Sequence, residues 1–456
     1  VVAPELAQQN YSESAASHDD DDVAVGGSQT SAGPRWERIA VLCLVIGSAL
    51  RVVWVLIIHP PVNYLYSDMA AYVDRAQRLA SGGPTGRFDA FYPPGTHILL
   101  AIPMKVLGPH SAGLWAAAVL WCALSIAIPW LSWLLARELL TPAAAAIAAA
   151  LCAFWPIFIT YGGVFTSETP SLAFMVAALW LAVLATRATG RSAIMLALVA
   201  GLLGGFAIAM RPQLLMNMAI VAAVLLIKFR RRIVPLASFG LGVAFVLALV
   251  VTYNSVAAQR LTGISENSGL NFWMGHCDVH DVTTVDRSQG VDAYFLSPVA
   301  LQLQRGGSYR FEDRMVWDQV FFYGLGWDCI RRDGGRHAFL LSRNVIDMTA
   351  TTTPWPQVSN ERGERDIVIV ANVIYALLLP WIVIESLFLI RRRRKEGLPA
   401  GEAILLAHLA CAVPVALLIF GDPRLRSVYD VFGLILLAAL LADRFNLGKS
   451  ASTEAT

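Results

Sequence analysis

Charge is scarce in this chain: 35 Lys and Arg and 33 Asp and Glu among 456 residues come to 15%, against 56% hydrophobic. About a quarter of a soluble globule's residues are charged. The shortage, with a mean hydropathy of +0.57, excludes an ordinary water-soluble domain and assigns the chain to a bilayer. Net charge is also small, at +2, and the basic knots at 228–232 and 391–395 are short and abut apolar helices. That pattern marks cytoplasmic helix ends and excludes nucleic acid as a partner. Cysteine is sparse too, with six residues and no CxxC pair, so the paired-thiolate zinc and redox motifs are absent. Cys43, Cys122, Cys152 and Cys411 fall in apolar helices and read as small buried hydrophobes. Cys277 and Cys329 share one large loop and are free to pair if it faces an oxidising compartment. Residues 1–34 lack the charged region, short apolar stretch and cleavage site of a signal peptide. Polar, and acidic at 19–22, they read as a disordered cytoplasmic tail, leaving the first helix to direct insertion. No internal repeat is visible.

Long apolar stretches are what the chain does have. They cover 39–58, 95–107, 112–135, 143–160, 170–186, 192–210, 214–227, 233–252, 367–390, 402–420 and 428–441. The expectation is an all-α polytopic membrane protein of about 10–11 helices. It divides into a tail (1–34), an N-terminal transmembrane catalytic module (35–252), a large extracytoplasmic loop with short helices (253–366), C-terminal transmembrane helices (367–444) and a short cytoplasmic tail (445–456). The second stretch is short for a crossing. Reading it as re-entrant puts every basic knot on the cytoplasmic side and gathers the polar features on the other face. The loop of roughly 110 residues is too long to be a mere connection, and its patterns at 310–320 and 336–348 predict short amphipathic helices.

The polar features of that outer face begin with Asp68, between Tyr66 and Tyr72 on a predicted interfacial helix, with Asp74 six residues on. Then come Tyr92-Pro93-Pro94-Gly95 with His97 and Lys105, Ser167-Glu168-Thr169, Arg211-Pro212, the turn around Asn271, and Gly421-Asp422-Pro423-Arg424 with Arg426. Asp68 stands where a base could take an acceptor proton, or where a helix N-cap is needed. Arg211, Arg424 and Arg426 lie at outer helix ends, against the positive-inside bias. They would hold a phosphate bidentately or snorkel to anionic lipid. Glu168 is a first-turn acid, a substrate contact, or both. His97 and Lys105 face a cavity if the short helix dips into the membrane. His276, Asp278, His280 and Asp281 form an HxDxHD cluster whose spacing fits no structural zinc signature.

Taken in order and spacing over about residues 36–444, these marks resemble the GT-C superfamily of polyprenyl-phosphate-dependent glycosyltransferases. The likeness is to the branch of protein O-mannosyltransferases and lipid A aminoarabinose transferases. The resemblance implies a sugar donor on a polyprenyl phosphate and a lipid, glycan or protein acceptor. It also implies inverting transfer at the extracytoplasmic face of a bacterial inner membrane, with membrane lipids as partners. On that likeness Asp68 is the base or metal-positioning group, with Asp74 or Glu168 as the second acid. Tyr66, Tyr72, Tyr92, His97, Lys105, Arg211, Asn271, Asp422, Arg424 and Arg426 are the substrate-binding candidates. A divalent ion, Mg or Mn, at Asp68 stays open. The family's adjacent Asp-Glu pair is replaced here by Ser67-Asp68-Met69. The reading from a different class is a transporter or flippase for an anionic lipid-linked substrate, which predicts broken half-helices at the bilayer midplane in both halves.

Overall fold

The computed structural model of the chain describes residues 32–229, 233–277, 283–286, 293–295, 311–313, 315–332, 334–349, 362–392 and 399–447. The helices are α1 (Ala32–Val53), α2 (Ser67–Ala80), α3 (Gly95–Leu107), α4 (Ser111–Leu139), α5 (Pro142–Phe154), α6 (Pro156–Thr160), α7 (Glu168–Arg187), α8 (Gly190–Met210), α9 (Leu215–Phe229) and α10 (Val234–Ala258). They continue with α11 (Ser268–His276), α12 (Gln319–Arg332), α13 (Gly334–Asp347), α14 (Arg362–Arg392), α15 (Ala400–Ala410), α16 (Ala412–Leu418), α17 (Pro423–Ser427) and α18 (Asp430–Arg444).

All eleven apolar stretches are helical, but fewer are built to cross. Among the described residues seven helices are long and apolar enough, or eight if the pair Pro142–Phe154 and Pro156–Gly163, bent by 52°, counts as one span. Of the expected 10–11 helices, α3 with 13 residues and α18 with 15 are short of the ~20 a hydrocarbon core requires. The loop departs from expectation as well. Strands β1 (Thr283–Asp286), β2 (Ala293–Phe295) and β3 (Phe311–Asp313) form a small sheet in the order β2-β1-β3, antiparallel for β1 with β2 and parallel for β1 with β3. The helix expected at 310–320 is therefore a strand followed by α12, whereas the one expected at 336–348 is α13. Cys277 and Cys329 are joined in a disulfide that ties α11 to α12.

Small residues let the helices close. The run of Ala in α5 is buried, and α1 and α18 pack onto it; a Cβ on Gly47 of α1 would come within 2.8 Å of the Ala153 side chain. In lipid the hydrophobic effect does not drive helices together, so such close approach supplies the dispersion contact. Ion pairs mark both ends of the bundle. At one end Arg137 of α4 pairs with Glu37 of α1 at 3.5 Å, and Arg187 at the end of α7 pairs with Glu138. Several of the polar side chains singled out in the sequence, Glu168 and Arg211 among them, lie at the other end, where α7 starts and α8 finishes.

Candidate active site

α7 begins with Glu168, directly after Thr166 and Ser167. α8 ends at Met210 and the chain breaks there because Pro212 follows Arg211. The α3 N-terminus presses on this break: a Cβ on Gly95 would lie 2.8 Å from Ala209 backbone atoms, so only glycine allows the approach. The result is a salt bridge between Arg211 Nη1 and Glu168 Oε1 at 2.6 Å, with the two side chains 6% and 3% exposed. Arg211 is held further by Ser167 Oγ at 3.3 Å and by Gln213, whose amide donates to the carbonyl of Leu425.

Arg424 joins this pair to the first outer loop. It sits in the short helix α17, whose first turn is capped by Asp422: the Arg424 backbone N–H donates to Asp422 Oδ1 at 2.6 Å. The Arg424 guanidinium reaches Glu168 through Nε and Asp68 Oδ2 through Nη1 at 2.8 Å. Tyr92 O–H donates to the other Asp68 oxygen at 2.8 Å. Both Asp68 oxygens are thus committed to residues far away in sequence, and α2 has no side-chain cap, so the capping alternative for Asp68 does not describe its contacts. Ser67, just before it, has φ 49°, a left-handed conformation that costs a non-glycine residue of order 1–3 kcal/mol.

Aromatic packing fixes the Tyr92 end. Tyr72 is buried and its ring lies 5.3 Å from that of Tyr92. Arg75, 2% exposed, places its guanidinium 4.4 Å from the Phe88 ring centroid and 5.0 Å from that of Tyr92. Burial, and then the Asp68 carboxylate, push the Tyr92 phenol well above its ordinary range, so it keeps its proton and stays a donor. Burial alone would lower Arg424, but Glu168 and Asp68 outweigh it and hold the guanidinium charged. Asp422 goes the other way: burial raises it to about 6.

The other candidates are dispersed. Asp74 faces out, 58% exposed and paired with Arg78. Lys105 is exposed on the last turn of α3, because its helix turns that side away from the bundle. His97 is fully buried, with Nε2 3.2 Å from the Tyr253 hydroxyl. Tyr66 precedes α2 and offers its backbone carbonyl to the first turn. Asn271 is half-buried within α11. Arg426 is buried in a network of its own with Asp430, Asn372 and the Met348 carbonyl, its guanidinium 4.0 Å from the Tyr375 ring centroid. Neighbours two apart in a helix point in different directions, which separates Arg426 from Arg424. Of the HxDxHD cluster, Asp278, His280 and Asp281 lie outside the described residues; His276 is buried against Phe272 and His337.

The sequence reading did not single out Arg75 or Gln213. Arg75 carries no signal beyond its place one turn after Tyr72. Gln213 is visible only once Arg211 and Leu425 are seen together.

The two Asp68 oxygens accept from Tyr92 and Arg424, and Glu168 shares Arg424 with Asp68. Among the described residues no three His, Cys, Asp or Glu side chains are grouped to hold a metal. Beneath Glu168, Tyr161 and Ser427 lies a cavity of ≈ 10 Å³, room for about one water and too small for a sugar. The accessible side of the cluster is the one bearing Asp68 and Arg424, 17% and 13% exposed.

Comparison with known proteins bears on this cluster. Residues 92–255 match the family described as dolichyl-phosphate-mannose-protein mannosyltransferase, which upholds the resemblance read from the sequence over a segment that holds Tyr92, Glu168 and Arg211. No curated protein matches the chain. Among solved structures, the archaeal oligosaccharyltransferase AglB of Archaeoglobus fulgidus, in complex with an inhibitory peptide and a dolichol-phosphate, overlaps at TM-score 0.48 and 16% identity, with 90% of this chain and 51% of that one covered. ArnT of Cupriavidus metallidurans bound to undecaprenyl phosphate overlaps at TM-score 0.36 and 14% identity, over 90% of this chain and 77% of that one. The chain spans about half the length of the oligosaccharyltransferases it overlaps. Neither TM-score reaches 0.5, and the roles of the residues rest on the geometry above.

Proposed function

We propose that this protein is a glycosyltransferase that moves a sugar from a polyprenyl-phosphate carrier to a cell-envelope acceptor. The carrying observation is the single guanidinium of Arg424 bridging Asp68 and Glu168, with Arg211 behind it, at one end of a helical membrane bundle. The family match over 92–255 supports the donor class.

In this reading Asp68 takes the proton of the acceptor hydroxyl as its oxygen attacks the anomeric carbon. The phosphate leaves with the electrons of the sugar–oxygen bond, and attack from the face opposite the phosphate inverts the configuration. Arg424 and Arg211 receive the growing charge of the leaving phosphate. A guanidinium suits this because it presents two donors in one plane. Preorganised charges at a poorly hydrated site stabilise the transition state without having to reorient. Glu168 fixes both guanidinium groups before the donor arrives, and Tyr92 fixes the carboxylate of Asp68.

Arg424 pairs with Asp68 at rest. A donor phosphate competes for the same guanidinium and frees the carboxylate oxygen to accept from the acceptor hydroxyl, so proton abstraction follows donor binding. In this reading the site faces the extracytoplasmic side of the cell membrane, which the positions of Arg137 and Arg187 at the opposite end support. The acceptor is a lipid, a glycan or a protein.

The test is transfer of labelled sugar from undecaprenyl- or decaprenyl-phosphate monosaccharides to an envelope extract by the purified chain in nanodiscs. Transfer by the wild type that is lost in Asp68→Asn supports the reading. Absence of transfer from every donor, together with movement of a lipid-linked substrate across the bilayer, replaces it with transport.

A further inference from the structure

Arg51 lies in the last turn of α1, fully buried, and its partners are carbonyls rather than a carboxylate. Nη1 donates to Gly47 O at 2.9 Å and to Ala153 O at 2.6 Å, and Nη2 donates to Cys152 O at 3.1 Å. A guanidinium in an apolar bundle is expensive to desolvate, so its placement asks for a structural reason.

That reason is the break between α5 and α6. In a continuous helix the carbonyl of Cys152 would accept from the backbone N–H of residue 156, but residue 156 is proline and has none. Trp155 is extended, with φ −66° and ψ 115°, so α5 ends there with orphan carbonyls. Arg51 supplies donors to two of them, at the negative end of the helix dipole where a cation is favoured. The bend of 52° is thus satisfied from a neighbouring helix.

The broken segment leads to the candidate active site. Ser125 Oγ donates to the Phe158 carbonyl at 3.1 Å, and Thr169 Oγ1, next to Glu168, donates to the Tyr161 carbonyl at 2.8 Å. The same segment also touches the chain beyond α1. His59 Nδ1 lies 3.0 Å from Gly163 O, and a Cβ on Gly163 would come within 2.8 Å of the His59 carbonyl. From His59 the chain runs on to Tyr66 and Asp68. Arg51 therefore sits where the path to Glu168 and the path to Asp68 are pinned together.

We propose that Arg51 is a positioning residue: its guanidinium replaces the backbone donor missing at Pro156 and thereby holds the α5–α6 break that sets Glu168 relative to Asp68. The role in transfer rests on the function proposed above, whereas the structural part does not.

The experiment is hydrogen–deuterium exchange on the full chain in detergent, comparing wild type, Arg51→Met, Arg51→Lys, Pro156→Ala and the double variant. Arg51→Met is expected to speed exchange of the backbone amides of 157–163 at least tenfold while α8 and α10 stay as in wild type. Arg51→Lys, with a point charge in place of a fork, is expected to fall between. Pro156→Ala restores an N–H opposite Cys152 O, so adding Arg51→Met to it should change exchange far less than Arg51→Met does alone. Unchanged exchange at 157–163 in Arg51→Met overturns the proposal, as does acceleration spread evenly over all helices. If Arg51→Met does not fold, the decision passes to the double variant: failure to restore folding in the Pro156→Ala background counts against the proposal. Should transfer be demonstrated, kcat is expected to fall in the order wild type, Arg51→Lys, Arg51→Met. Absence of transfer in every variant, with the exchange pattern intact, would fault the proposed function and leave this inference standing.

Discussion

Replacing Asp68 with asparagine isolates the chemistry from the fold. The amide has the shape of the carboxylate and retains an acceptor oxygen for Tyr92 or Arg424, but it is no longer a base. A positioned general base contributes roughly 10²–10⁴ in rate, which at about 1.36 kcal/mol per decade is ~3–5 kcal/mol of barrier. The cost to folding is smaller. Asp68 is 17% exposed, and Arg424 keeps its contact with Glu168, so no charge is left buried without a partner. Losing one hydrogen bond to a charged group costs about 1.5–3 kcal/mol, a loss of a few degrees in melting temperature for a chain of this size. The assay is single-turnover transfer from a saturating labelled donor, with thermal melting of the same preparation and Asp74→Asn beside it. Asp74 is exposed and, among the described residues, forms its ion pair with Arg78, so its variant is expected within about twofold of wild type. A folded Asp68→Asn protein that transfers within tenfold of wild type would refute the assignment of Asp68 as base.

Three more outcomes follow from the same geometry. Glu168→Gln leaves two buried guanidinium groups short of their shared carboxylate and is expected to destabilise by ~3–5 kcal/mol; adding Arg211→Gln should recover part of that loss, and simple additivity of the two melting shifts would count against the coupling. Asp422 has a folded pKa of about 6 against an ordinary value of 3.8, so the folded state holds more protons between those values, and the contribution of this group is largest at low pH and declines as pH rises through 6. Melting of wild type minus that of Asp422→Asn, followed from pH 4 to 7, should fall across that window; a flat difference would show that the carboxyl is not shifted. Reducing the Cys277–Cys329 bond, with its sequence separation of 52, removes a loop constraint worth ~4 kcal/mol in the chain-entropy picture, and protease cutting between α11 and α12 should speed up while the transmembrane helices remain resistant.

Local pattern carried much of this protein. Eleven apolar stretches each became helix because period and length alone separate a bilayer-buried helix from loop. Ser167-Glu168-Thr169 and Arg211-Pro212 stood out because polar residues beside helix termini are conspicuous against an apolar background. The shortness of α3 was legible in its apolar run, whereas the bend of 52° that divides the stretch 143–160 was not. The strand at Phe311–Asp313 was missed because its partner strand, β1, is distant in sequence.

What the sequence by itself determined is the membrane class, the helices and the kinds of side chain gathered at their ends. Only the tertiary structure decided which of those side chains meet. Asp68 and Arg424 are separated by 356 residues and Arg424 and Glu168 by 256, and such separations leave no periodic trace. Asp74 and Arg426 have the same chemistry as their neighbours Asp68 and Arg424, yet helical rotation turns one to solvent and the other into the Asp430 network. The reason is general: periodicity fixes which residues share a face of one helix, while the packing of several helices fixes which faces look at each other.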